Sequence, residues 1–169
     1  MDNFMEITPE QMGQNPFKMI GKDWMLITAK TGDKVNTMTA SWGGLGVMWH
    51  KNVAFIVIRP QRYTKEFVDN SDTLSLSFLD DSYKKALSYI GKVSGRDEDK
   101  ITNANLTVRY ADETPYFEQA NTVLICKKLF AQQYDEQSFI DTEILEKMYP
   151  NHDLHTLYIV EITKVLTKK

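Results

Sequence analysis

The sequence predicts a mainly β protein, an antiparallel barrel decorated by a few peripheral helices. Its apolar segments are short, rich in β-branched residues and bounded by turn signals. Residues 73–78 alternate cleanly, with Leu74, Leu76 and Phe78 on one face and Thr73, Ser75 and Ser77 on the other. The regular β-α alternation that a parallel sheet requires is missing.

The elements follow in order. Asn15, with Pro16 at the first helical position and Gly21 after the last, predicts a short turn of helix. Residues 24–28 read as a strand and 35–41 as its partner, with a hairpin loop over 30–34 carrying Gly32 at the turn. The continuously apolar run 53–58 fits a strand covered on both faces. Thr64 is placed to cap a short helix reaching Val68. Tyr83, Ala86, Leu87 and Ile90 keep helical spacing, with Asp81 or Ser82 as cap. Residues 122–132 and 156–166 are further strands. Between them Asp141 is placed to cap a helix through Met148, with Ile140 stapled against Leu145.

Composition narrows the functional classes. The chain has 169 residues, 20 basic and 23 acidic, with 42% hydrophobic residues, as an ordinary globular protein has. One domain spanning residues 1–169 is expected at this length. A mildly acidic chain with no basic run is a poor nucleic-acid binder. No run approaches the ~20 apolar residues of a membrane span, and residues 1–10 lack a signal-peptide pattern. A cytoplasmic protein is the expectation. The single cysteine, Cys126, excludes an internal disulfide or dithiol pair. No metal site is expected. His152 and His155 lie just before the last strand, where a turn-lining or substrate-facing role suits them better than a metal.

Three stretches carry candidate chemistry. Asn36-Thr37-Met38-Thr39-Ala40-Ser41-Trp42-Gly43-Gly44 is a hydroxyl-rich strand ending in glycines, where donors and permissive backbone meet a polar ligand; a polar strand entering a flexible turn would look the same. Arg59-Pro60-Gln61-Arg62-Tyr63-Thr64 sets two guanidiniums and a hydroxyl just after an apolar strand, a composition suited to phosphate, or to a solvated basic turn. Ser94-Gly95-Arg96-Asp97-Glu98-Asp99-Lys100 alone reads as a charged loop capped at Ser94 or Asp97. Trp49-His50, after the glycines, reads as a lid or partner contact.

In this order and spacing, and with Tyr158-Ile159-Val160-Glu161-Ile162 in the closing strand, the three stretches resemble the flavin reductase family of FMN-binding split β-barrels, in particular its flavoredoxin-like branch. The resemblance covers residues 24–165. It implies a split β-barrel with FMN bound at the interface of a homodimer. Thr39, Ala40, Ser41 and Trp42 would line the flavin and its ribityl chain. Arg62, Tyr63 and Thr64 would hold the phosphate with Arg59 nearby, and Ser94, Arg96, Asp97 and Lys100 would close the site. Electrons would pass from NAD(P)H or a redox protein through FMN to a flavin or other acceptor, with His155 the one candidate for a polar group near the substrate. No second nucleotide-binding domain fits this length, so a dinucleotide would dock in an open cleft above the flavin. A non-catalytic FMN electron carrier is the competing reading, and a cofactor-free interaction barrel a third. The chain departs from the family at Ile90, where relatives often carry Cys, and at Val160, where they often carry Gly.

Overall fold

A computed structural model describes residues 3–169. Its strands are β1 (Phe4–Ile7), β2 (Met25–Thr31), β3 (Lys34–Ala40), β4 (Gly43–Met48), β5 (Lys51–Ile58), β6 (Thr73–Phe78), β7 (Val108–Ala111), β8 (Thr114–Phe117), β9 (Thr122–Gln133) and β10 (Thr156–Lys168). The α-helices are α1 (Pro16–Lys18), α2 (Tyr63–Asp69), α3 (Lys84–Lys92), α4 (Lys100–Asn103) and α5 (Thr142–Met148).

One antiparallel sheet runs β3-β2-β6-β9-β10-β5-β4, with β1 also on β10, and β7-β8 forms a separate hairpin. The mainly β, antiparallel architecture expected from the sequence is therefore present. The two edge strands of the path, β3 and β4, follow one another in the chain with only Ser41 and Trp42 between them. A sheet whose opposite edges are joined by two residues has to curl on itself, and the join is where it splits. Curvature is helped by two register shifts in the long β9–β10 ladder, between Ile159 and Val160 and between Ile162 and Lys164.

Two apolar cores result. One, including Met25, Ile27, Ile56, Leu74, Leu124, Tyr158 and Val160, gathers residues from β2, β5, β6, β9 and β10. The other, including Leu26, Leu87, Ile90, Tyr116, Phe117 and Val123, joins the sheet to α3 and the β7–β8 hairpin. That hairpin covers the polar face of β6. Ser75 is fully buried and donates its hydroxyl to Pro115 O at 2.6 Å.

Several local expectations change. The glycines after Trp42 form β4 rather than a flexible turn, paired with β5 from Gly43↔Ile56 onward. Trp49 and His50 are the left-handed residues (φ 54° and 58°) of the β4–β5 hairpin turn. Arg62, not Thr64, stands at the N-cap of α2. Asp80 caps the turn leading into α3 by accepting from Ser82 N, ahead of the expected Asp81 or Ser82. Asp141 does cap α5 through Glu143 N, but Ile140 is fully exposed and staples nothing. Asn15 caps α1 as expected, and a π-helical turn (Met19–Asp23) carries the helix past Gly21.

Candidate functional site

The join between β3 and β4 opens onto a cavity of about 410 Å³. Its wall consists of the end of β3 and the link (Met38 to Trp42), the end of β5 (Val57, Arg59), then Gln61, Arg62 and His155. Apart from Arg59 and Arg62, no lining residue is charged at neutral pH, so the cavity is a cationic recess in an acidic protein.

The two arginines are held differently. Arg59 has a counter-charge: it pairs with Asp153 at 2.9 Å, donates to Met148 O at 2.9 Å and lies 4.8 Å over the Tyr149 ring. Gln61 donates to the same Asp153 oxygen at 2.8 Å. Arg62 donates only to carbonyls, Gly91 O at 3.0 Å and Thr39 O at 3.3 Å, and makes no ion pair among the described residues. Burial and the nearby Arg59 charge lower its pKa, the signature of a cation short of a counter-charge. A phosphate-sized anion supplies what Arg62 lacks.

The hydroxyls divide in the same way. Thr39 lines the cavity but its hydroxyl is spent on Leu87 O at 2.6 Å, locking β3 to α3. Thr37 is buried deeper and bonds Thr28 Oγ1 and Ile27 O. Ser41 has no protein hydrogen bond among the described residues and lines the cavity, so its hydroxyl is the one left for a ligand.

His155 is 7% exposed and faces the cavity, its Nδ1 2.7 Å from the Tyr149 hydroxyl and its ring 5.3 Å from that of Trp42. Burial first, then the Arg59 charge, hold its pKa at about 4, so the imidazole is neutral at pH 7. An unfolded chain binds that proton near pH 6.5, so folding stability falls as pH drops from about 6.5 toward 4. Melting temperature followed against pH checks this. The slope between pH 6.5 and 4.5 is expected to flatten in His155→Gln, and an unchanged slope would show that His155 is not its source.

The remaining expected site residues lie elsewhere. Thr64 is 1% exposed and its hydroxyl accepts from Asn36 Nδ2 at 2.9 Å, so it is sealed from any ligand in the cavity. Tyr63 receives a hydrogen bond from Lys34 at 2.9 Å, and the Arg96 guanidinium stacks on its ring at 4.4 Å. Arg96 also pairs with Glu66. Gly95, Arg96, Asp97 and Lys100 line a different depression, shared with Asp33, Lys34 and Asn36. Ser94 Oγ accepts from Arg96 N within its own loop. Lys100, 3% exposed, donates to Ile90 O and Val93 O and so caps the end of α3, where burial and the Arg62 charge lower its pKa to about 8. Gly95 is there for space: a Cβ would stand 2.1 Å from Asn36 Oδ1. Tyr63, Thr64, Ser94, Arg96, Asp97 and Lys100 therefore lie outside the cavity, and Thr39, Ala40, Ser41, Trp42, Arg59, Arg62 and His155 line it.

Two other groups lie outside the cavity. Cys126 is fully buried and its thiol pKa is raised, so it is inert. His152 pairs with Glu136 on the surface, away from His155, and among the described residues no cluster of three or more His, Cys, Asp or Glu can hold a metal ion. No helix among them is long and apolar enough to cross a membrane. What the sequence reading missed is Gln61, Val57 and the Tyr149–Asp153 scaffold around Arg59, whose signal was the aromatic residues interrupting an otherwise polar connection before β10.

Comparison with known proteins adds an independent line. The model of the flavin reductase like domain matches residues 18–169. No curated protein matches the chain significantly. Among solved structures, the FMN-binding domain of a flavin reductases-like enzyme from Shewanella baltica is 15% identical with a TM-score of 0.71, covering 98% of this chain and 78% of that one. Flavoredoxin of Desulfovibrio vulgaris is 20% identical with a TM-score of 0.69, again covering 98% and 78%. The styrene monooxygenase flavin reductase of Pseudomonas putida is 16% identical with a TM-score of 0.63, covering 86% and 79%. At these identities the likeness is one of fold.

Proposed function

From the premise that this chain belongs to the flavin reductase like domain family, we propose that it is an FMN-dependent oxidoreductase, passing electrons from NAD(P)H or a protein donor through bound FMN to a flavin or other acceptor. The observation that carries the reading is the cationic cavity at the β3–β4 join, where Arg62 lacks a counter-charge and Ser41 a partner. FMN fits this donor set. Its phosphate answers Arg62, with Arg59 adding positive charge, and its ribityl hydroxyls match Ser41 and the backbone of Ala40 and Trp42. Two of the neighbours described above, an FMN-binding domain and a flavin reductase by name, support the same cofactor.

When bound, FMN supplies the hydride and electron chemistry, and the protein contributes placement and electrostatics. Arg62 would hold the phosphate from a position fixed by Gly91 O and Thr39 O. Asp153 and Tyr149 hold Arg59 in place beside it. His155, neutral at working pH, offers a ring nitrogen without bringing a third positive charge. Trp42 lines the recess and is itself 44% exposed, so a reductant could approach along its ring. The homodimer implied by the family resemblance belongs to this proposal, since two chains would enclose a cofactor that one leaves half open.

Anaerobic stopped-flow mixing of the FMN-loaded protein with NADH and, separately, NADPH is the test. Bleaching of the flavin band by one of them within seconds is the expected result. No bleaching within minutes by either, together with rapid reduction by a ferredoxin-type protein, would replace the reductase reading with the electron-carrier one.

A further inference from the structure

The C-terminal end of α3 is gripped by three side chains. Thr39 Oγ1 donates to Leu87 O at 2.6 Å, Arg62 to Gly91 O at 3.0 Å, and Lys100 Nζ to Ile90 O at 3.2 Å and Val93 O at 3.1 Å. The carbonyl that Arg62 uses thus lies between the two that Lys100 holds. Gly91 also packs closely on β3, where a Cβ would stand 3.3 Å from Thr39 Cβ. The last carbonyls of a helix have no partner within it and form the negative end of its dipole, so cations suit them as donors.

Lys100 is a costly residue to place here. It is 3% exposed and makes no ion pair among the described residues, only its two bonds to carbonyls. Burial disfavours its charge, and so does the Arg62 guanidinium on the neighbouring carbonyl. Holding a helix end does not by itself call for a second buried cation, since Thr39 does the same for Leu87 O with a hydroxyl. Two cations on one helix end repel each other, whereas an anion held by Arg62 attracts both. The pair is therefore better matched to an anion in the cavity than to the needs of the fold.

We propose that Lys100 is a positioning residue for the phosphate of the cofactor: by holding Ile90 O and Val93 O it aims Gly91 O at Arg62, and so fixes the guanidinium that meets the phosphate. The role rests on the flavin reading. Lys100 itself lines the separate depression, not the cavity, so it acts through Arg62 and touches no ligand. The competing role is that of a helix cap which steadies the fold and has no bearing on the phosphate.

Fluorescence titration of the full-length protein with FMN, and with riboflavin, which lacks the phosphate, separates the two roles. Lys100→Met is expected to weaken FMN binding roughly tenfold and to leave riboflavin within about twofold, so that the preference for FMN collapses. Lys92→Met, at an exposed lysine on the same turn of α3, is expected to change neither. In an Arg62→Ala background, Lys100→Met is expected to add little further loss, because the group it positions is gone. Where Lys100→Met does not fold by far-UV circular dichroism, Lys100→Gln, which keeps N–H donors for the carbonyls, is read in its place and is expected to lower the same preference by less. Equal losses of FMN and riboflavin, an unchanged preference for FMN in the folded variant, or fully additive losses with Arg62→Ala would overturn the proposal. The two failures are distinguishable. A wild-type protein that binds neither flavin removes the flavin reading and this one with it, whereas wild-type FMN binding with the preference intact in the Lys100 variant removes this one alone.

Discussion

Arg62→Ala is expected to weaken FMN binding by one to two orders of magnitude, roughly 1.5–3 kcal/mol for a lost charge-assisted contact. The expectation follows from the unequal treatment of the two arginines. Arg59 already has a carboxylate, so a phosphate gains less from it, whereas Arg62 is half-buried with only carbonyl partners. Arg59→Ala is accordingly expected to cost less than Arg62→Ala. Arg62→Lys keeps the charge but cannot span Gly91 O and Thr39 O while also reaching the ligand, so it is expected to recover only part of the loss. Titration of FMN fluorescence quenching against each variant measures the effect, with far-UV circular dichroism to establish that the variant is folded. Unchanged affinity in folded Arg62→Ala would move the phosphate out of this cavity.

Gly43→Ala is expected to be the most destabilising small substitution at the site. Gly43 has φ 143°, a conformation L side chains avoid, and its Cβ would lie 2.3 Å from the backbone oxygen of Phe55. The obstacle is main chain in the paired strand, so nothing can swing aside. A cost of at least ~3 kcal/mol is expected, on the order of 6–12 °C in melting temperature for a chain of this size. Gly44→Ala is the control. Its Cβ would meet only the Phe55 ring at 3.7 Å, and its melting temperature is expected to move little. Equal melting temperatures for the two variants would mean that the β4–β5 approach is looser than the structure has it.

The strands legible in the sequence were those whose pattern was decided locally. β6 alternates, β5 is uniformly apolar, and Gly32 at φ 57° announces the β2–β3 turn. β4 was illegible because glycines there serve close approach to Phe55, and the same residues elsewhere would mean a turn. The β7–β8 hairpin was missed as well, and with it the burial of Ser75 and Ser77 on the polar face of β6. That burial depends on a partner about 40 residues away, which no local period records.

At the site, the first two stretches supply most of the cavity wall and the third lines a separate depression, a division that was not readable in the sequence. Asn36 and Thr64 look as suited to a ligand as Ser41 does. Only the fold reveals that they satisfy each other at 2.9 Å. Likewise Lys100 and Arg62 are both buried cations near the end of α3, yet one is consumed by carbonyls in a closed corner and the other lines the cavity. Sequence proximity to a motif says which residues are constrained. Whether the constraint comes from a ligand or from the scaffold is decided by what else lies within 3 Å.

The order in which the walls are made has its own outcome for a growing chain. Both arginines and the whole Thr39–Trp42 link come within residues 39–62, between and just after two neighbouring hairpins, β2–β3 and β4–β5. Yet those hairpins are held to each other through β6, β9 and β10, and β5 receives its long-range partner only when Thr156 pairs with Ile58. His155 arrives immediately before that strand. On the ribosome, these residues would therefore emerge well before the strand that completes the recess. The recess exists only once β10 has docked on β5, so a cofactor bound there would stabilise the docked barrel by mass action.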